Sequence, residues 1–122
     1  MPRILIVDDD PAVLRLMSRV LEGAGYQTET VNSMSEAMAH VEAVKYDLFI
    51  LDFWLKQENG LDVMRQLQRS QPETPVLFLS GGNESVALET TTALAEMQGA
   101  AEFLYKPVPN SALLDAIKRH IE

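Results

Sequence analysis

What most constrains this chain is a rhythm of five short apolar runs, each followed by a longer stretch carrying helical signals. The runs are Ile4–Val7, Thr28–Val31, Leu48–Leu51, Val76–Leu79 and Phe103–Tyr105. Three of them, ILIV, LFIL and VLFL, contain no polar position, whereas a strand with one wet face alternates. Such strands are covered on both faces. A crossover helix returns the chain to the same end of the sheet, so the strands run parallel. The expected fold is therefore a single α/β domain spanning residues 1–122, a (βα)5 chain with helices on both faces of a five-stranded parallel sheet.

The helical stretches have usable ends. Asp10 is placed to cap the first, with Pro11 at its first position, and the apolar stripe is Val13, Leu16, Met17, Val20 and Leu21 up to Gly23. Ser33 opens the second with Glu36 as its capping-box partner, and the helix runs to about Val44. The third is expected over Leu61 to Ser70, closed by Pro72 and Pro75. The fourth is expected from about Glu84 to Gln98, and the fifth from about Asn110. Met17, Met38 and Met64 fall on apolar helical spacing and read as core. His40 and His120 lie far from the acids in the pattern and read as solvated surface. Leu14, beside the first helix's stripe, is either buried or a docking residue for a histidine-containing partner.

Charge narrows the function classes. The formal net charge is −8, from 10 Lys and Arg against 18 Asp and Glu, with no local basic stripe. Nucleic-acid phosphates repel such a surface, so direct nucleic-acid binding is not expected. No apolar run approaches the ~18 residues that span a bilayer, and MPRILIVDDD lacks a leader pattern, which makes the cytoplasm the expected compartment. Cysteine is absent, so neither disulfides nor thiolate metal sites are available.

Open parallel sheets bind ligands beyond the carboxyl ends of their strands. Read there, the sequence offers Asp8 and Asp9 after the first run, Asn32 after the second, Asp52 after the third, Ser80 after the fourth and Lys106 after the fifth. Three neighbouring carboxylates repel unless a cation sits among them. Oxygen ligands without Cys or His suit a hard ion such as Mg²⁺. Lys106 adds positive charge and Ser80 a donor, which completes an inventory for a metal and a phosphate.

Taken together, ILIVDDDP, LFILDFWLKQENGLDV, VLFLSGG and FLYKPV resemble the receiver domain of bacterial two-component response regulators from end to end. The resemblance implies a flavodoxin-like sheet of order 2-1-3-4-5. It implies phosphorylation of Asp52, Mg²⁺ bound by Asp9 and Asp52 directly and by Asp8 through water, and the Trp54 backbone carbonyl as a further ligand. Lys106 would pair with the phosphoryl oxygens, and Ser80 would hydrogen-bond them. Phe103 stands at the family's aromatic switch position, and the Lys106–Pro107 bond at one that is usually cis. The implied partners are a sensor histidine kinase or a histidine phosphotransfer protein. The implied role is that of a phosphoacceptor assisting its own phosphorylation and dephosphorylation, rather than of an enzyme. Output would leave by the face made of the fourth helix, fifth strand and fifth helix, toward a target the sequence does not name.

Departures from the pattern are local. Leu55 and Lys56 stand where many members have Met-Pro, Trp54 is bulky, and Ser80 to Gly99 is longer by about one helical turn. Three other readings compete. A dehalogenase-like phosphatase needs a second acid where Trp54 stands. A flavin binder would meet repulsion from Asp8, Asp9 and Asp10. A phosphorylation-independent interaction module would not need all five groups. Whether the chain stands alone or belongs to a longer transcription regulator or hybrid kinase is open at this stage.

Overall fold

Parallel pairing joins every strand to its neighbours in the order β2-β1-β3-β4-β5, as the resemblance implied. The computed structural model describes residues 1–53, 55, 58–80 and 99–121. In chain order the elements are β1 (Arg3–Val7), α1 (Pro11–Gly23), β2 (Gln27–Val31), α2 (Met34–Ala43), β3 (Leu48–Asp52), α3 (Gly60–Ser70), β4 (Val76–Ser80), β5 (Glu102–Tyr105) and α4 (Asn110–Ile121). The helix expected over Glu84 to Gln98 lies outside the described residues, as do Trp54 and Lys56.

The uniformly apolar strands do face two cores, and alternate residues serve each one. Leu5, Val7, Phe49, Leu51, Val76 and Phe78 point to the layer of α2 and α3, where Ala37, Val41, Val63, Met64 and Leu67 meet them. Ile4, Ile6, Leu48, Ile50, Leu77 and Leu79 point to the layer of α1 and α4, against Met17, Leu21, Leu113, Ala116 and Ile117. A period of two along each strand, with helices above and below, explains why no polar position was tolerated. Met17 and Met64 are buried, and Met38 packs partly into the first layer.

Helix ends follow the local chemistry. Asp10 accepts from the Ala12 amide at 2.9 Å, and Pro11 sits in the first turn. Gly25, at φ +96°, takes the left-handed turn that releases the chain into β2. Ser33 caps α2 by accepting from Glu36 N at 3.3 Å, while Glu36 reaches back to Asn32 N at 3.0 Å. The reciprocal arm of the capping box has thus moved one residue outward. Asn59 caps α3 through Leu61 N at 2.8 Å, so that helix begins at Gly60, one residue earlier than expected.

Two expectations need correction. Leu16, placed on the core stripe of α1, is 64% exposed, whereas Leu14 packs partly into the α1 and α4 layer. The stripe is turned rather than narrowed: Val13, Leu14 and Val20 pack beside the buried Met17 and Leu21. The histidines are not plain solvated surface. His120 is half-buried and meets Glu102 at 2.8 Å, and His40 lies 3.5 Å from Glu29.

Candidate functional site

The register of the sheet assembles the site. Asp52 is the last residue of β3 and stands opposite Leu79, while Ser80 ends β4 opposite Tyr105. Asp8 and Asp9 follow β1, and Lys106 follows β5. Backbone bonds continue past the strands: Asp8 N donates to Val31 O at 3.2 Å, Phe53 N to Leu79 O at 2.8 Å, and Lys106 N to Ser80 O at 2.6 Å. The functional side chains therefore issue from ladder positions rather than from free loops.

Asp8, Asp9 and Asp52 each place a carboxylate oxygen within 4.8 Å of the others. Asp8 is 1% exposed and Asp52 is 8% exposed. Burying like charges this close is costly unless a cation shares the space. The Lys106 ammonium supplies part of it, at 3.1 Å from Asp8 Oδ2 and 3.8 Å from Asp52 Oδ1. Among the described residues, one ammonium against three carboxylates leaves a negative excess in an all-oxygen donor set. That set fits a hard divalent cation, with Asp9 and Asp52 the residues that could hold it. Asp8 is otherwise engaged, since its Oδ1 accepts from Asp10 N at 2.9 Å.

Ser80 is completely buried at the same edge. Phe103 is half-buried in an aromatic chain, with ring centroids 5.9 Å from both Phe53 and Phe78 and 5.4 Å from Tyr105. Phe53, the residue after Asp52, also meets Phe78 edge-on at 5.3 Å. The Lys106–Pro107 peptide is cis. Of the site residues anticipated, the structure brings Asp8, Asp9, Asp52 and Lys106 together and puts Ser80 and Phe103 on the flanking strands. Trp54 lies outside the described residues.

Sequence reasoning missed the role of Phe53. Its only signal was an aromatic directly after the acid, which reads as strand continuation.

The family model for the response regulator receiver domain matches residues 4–118. The chain belongs to that family. Among relatives of this receiver domain, the nitrogen assimilation regulatory protein NtrX of Azorhizobium caulinodans is 36% identical over 98% of this chain and 26% of its own length. The DNA-binding response regulator MtrA of Mycolicibacterium smegmatis is 31% identical over 98% of this chain and 50% of its own. The receiver domain thus spans about a quarter to a half of the length of these relatives. A receiver domain protein from Clostridium thermocellum superposes with a TM-score of 0.89 at 28% identity, covering 99% of this chain and 94% of that one. A response regulator from Burkholderia pseudomallei, solved with a phosphorylated aspartic acid, a calcium ion and citrate, gives 0.85 at 28% identity, covering 96% and 66%.

Proposed function

We propose that Asp52 of this receiver domain accepts a phosphoryl group from a phosphohistidine of a sensor histidine kinase or a histidine phosphotransfer protein, in a Mg²⁺-dependent reaction. The observation that carries this reading is the Lys106 ammonium held between Asp8 and Asp52, within reach of three converging carboxylates. The Burkholderia relative, solved with a phosphorylated aspartic acid and a calcium ion, supports it.

In the transfer, an Asp52 oxygen attacks phosphorus in line. The bond from phosphorus to the donor histidine nitrogen breaks as the new O–P bond forms, and the electron pair returns to the imidazole. Asp9 and Asp52 would hold Mg²⁺, with Asp8 behind them through water and the Trp54 carbonyl as a further ligand. When bound, the ion neutralises charge on the transferring group. Lys106 shifts from its carboxylate partners to the phosphoryl oxygens, a preorganised charge at the place where negative charge accumulates. Ser80 donates to a phosphoryl oxygen, and Phe103 responds by moving within its aromatic chain. Water later cleaves the acyl phosphate, releasing inorganic phosphate and restoring the Asp52 carboxylate.

An apolar groove of about 530 Å³ runs from α1 to the segment after β5, lined by Leu16, Met17, Val20, Pro107 and Val108, and Lys106 borders it. The exposed Leu16 beside the reacting edge supports docking of the histidine-bearing partner there. Among the described residues no helix is long and apolar enough to cross a membrane. MtrA is named as DNA-binding, so the expectation of no nucleic-acid contact extends no further than the 122 residues here.

Incubation with acetyl phosphate and Mg²⁺, read by intact-mass spectrometry, tests the assignment. One phosphoryl adduct is expected on the wild type and none on Asp52→Asn. Equal labelling of the variant overturns the site, and chelation of the metal should suppress labelling of the wild type.

A further inference from the structure

Asp52 and α3 are joined by the segment 53–59, of which Phe53, Leu55, Glu58 and Asn59 are described. Its described residues are held in four ways. Phe53 is bonded to Leu79 O, Leu55 is buried at 9% exposure, and Asn59 caps α3. The fourth hold is different in kind. Glu58 Oε1 accepts from the backbone N of Met34 at 2.8 Å, across 24 positions of sequence. Of the other three, the Phe53 bond joins β4 and the Asn59 cap joins α3, while Leu55 packs into the core shared with α2. Glu58 ties the segment to α2 by a hydrogen bond to the backbone of that helix.

We infer that Glu58 is a positioning residue for the phosphoryl transfer: it fixes the segment after Asp52 by bonding the first amide of α2. The inference rests on the reading of Asp52 as phosphoacceptor.

Met34 is the first residue of α2, where amides lack an intrahelical acceptor and the helix dipole is positive. A carboxylate there makes a charge-assisted bond, stronger than a neutral one. Two nearby amides have other acceptors: Ser33 takes Glu36 N, and Glu36 takes Asn32 N, before the cap. Glu58 supplies the acceptor for the Met34 amide. The opposite end of the segment is equally constrained: a Cβ at Gly60 would meet Phe53 O at 2.8 Å, so Gly60 lets the two ends close on each other. Removing Glu58 breaks the hydrogen bond from the segment to α2 while leaving α3 capped by Asn59. The loosened segment then samples arrangements in which Asp52 is not aligned for attack, and the transfer slows by the fraction of time lost.

The test uses acetyl phosphate and Mg²⁺ on the full chain, at a temperature well below the melting of every variant. Initial labelling rates are read by intact mass. Glu58→Ala should label about fivefold more slowly, the rate equivalent of ~1 kcal/mol. Glu58→Gln keeps the acceptor oxygen and should recover to within about twofold of wild type. Met34→Pro removes the donor at a helix position that accepts proline, after a Ser33 already extended at φ −153° and ψ 162°. It should slow labelling as Glu58→Ala does, and the double variant should be no slower than either single. A purely structural role would lower the melting temperature without slowing the folded protein. Glu58→Ala labelling at the wild-type rate, Glu58→Gln as slow as Glu58→Ala, or additive effects in the double variant would overturn the inference. Failure of the wild type to label would instead strike the reading of Asp52.

Discussion

The two ends of the sheet use polar groups in opposite ways. At the carboxyl ends of the strands, three carboxylates converge within 4.8 Å and share one nearby ammonium. At the amino ends, the polar groups around Gln71 are matched donor to acceptor. Gln71, 5% exposed, accepts from Tyr46 N at 2.9 Å and donates to Val41 O at 3.1 Å and Val44 O at 2.7 Å. Thr74 donates to Tyr46 O at 2.9 Å, and Asp47 accepts from Arg3 N at 2.7 Å. The Gln71 cluster is satisfied within the fold. At the other end, the carboxylates outnumber the cations found beside them among the described residues. Polar groups that complete one another build the scaffold, and polar groups that frustrate one another mark where it works.

If that contrast is right, substitutions at the two ends should separate rate from stability. The largest effect is expected for Lys106→Ala, which removes the cation poised at the reacting edge. Labelling by acetyl phosphate should fall by about a hundredfold, the scale of losing one preorganised charge-stabilising group. Next is Gln71→Ala, which strands one buried amide and two carbonyls at the quiet end. Urea unfolding should show a loss of ~2–3 kcal/mol, with the labelling rate of the folded protein unchanged. A slowed rate would mean that the two ends are coupled.

Smaller, and opposite in sign, is the effect of Asp52→Asn on stability. Relieving carboxylate repulsion should stabilise the protein by ~1 kcal/mol in chelator, measured by the same unfolding. Added Mg²⁺ should then stabilise the wild type more than the variant. A variant that is less stable than wild type in chelator would show that Lys106 already balances the cluster.

The smallest effect is a pH dependence at the quiet end. Arg119, and after it His120, hold the Glu102 carboxyl below its ordinary value of 4.5, against the opposing pull of burial. A carboxyl depressed in the folded state adds stability above its unfolded value and loses it as pH falls through the folded one. Wild type should therefore lose its advantage over Glu102→Gln as pH drops below about 4.5, followed by thermal melts across that range. An advantage that persists at pH 2 would show that the pair contributes by packing instead.

Legibility in the sequence follows the same division. Strand positions, parallel topology and the acid cluster could be read because ILIV, LFIL and VLFL are apolar throughout and the chemistry sits one step past each run. β5 was visible mainly by its neighbour Lys106, since its own residues are only partly buried. Gln71 was not legible as a clasp: between Ser70 and Pro72 it reads as a polar loop residue, and its partners lie 25 to 30 positions away. Glu58 escaped for the same reason. Leu16 was misplaced because periodicity locates an apolar stripe but not how the helix is turned against its neighbours. Pairings between distant segments leave no mark in local pattern.

The split of the sheet into two cores also bears on the order in which the protein can be made. The layer under α2 and α3 draws its fully buried members from residues 5–78. The layer under α1 and α4 unites Ile4 with Ile117, almost the whole length of the chain. As a ribosome extrudes the chain from its amino end, the first layer can close while the second still lacks Leu113, Ala116 and Ile117. Until α4 emerges, Leu77 and Leu79 present a greasy flank with α1 as its partial roof. A nascent chain halted before Asn110 is thus half finished in a literal sense, with one side of the sheet sealed and the other open to whatever apolar surface it meets first.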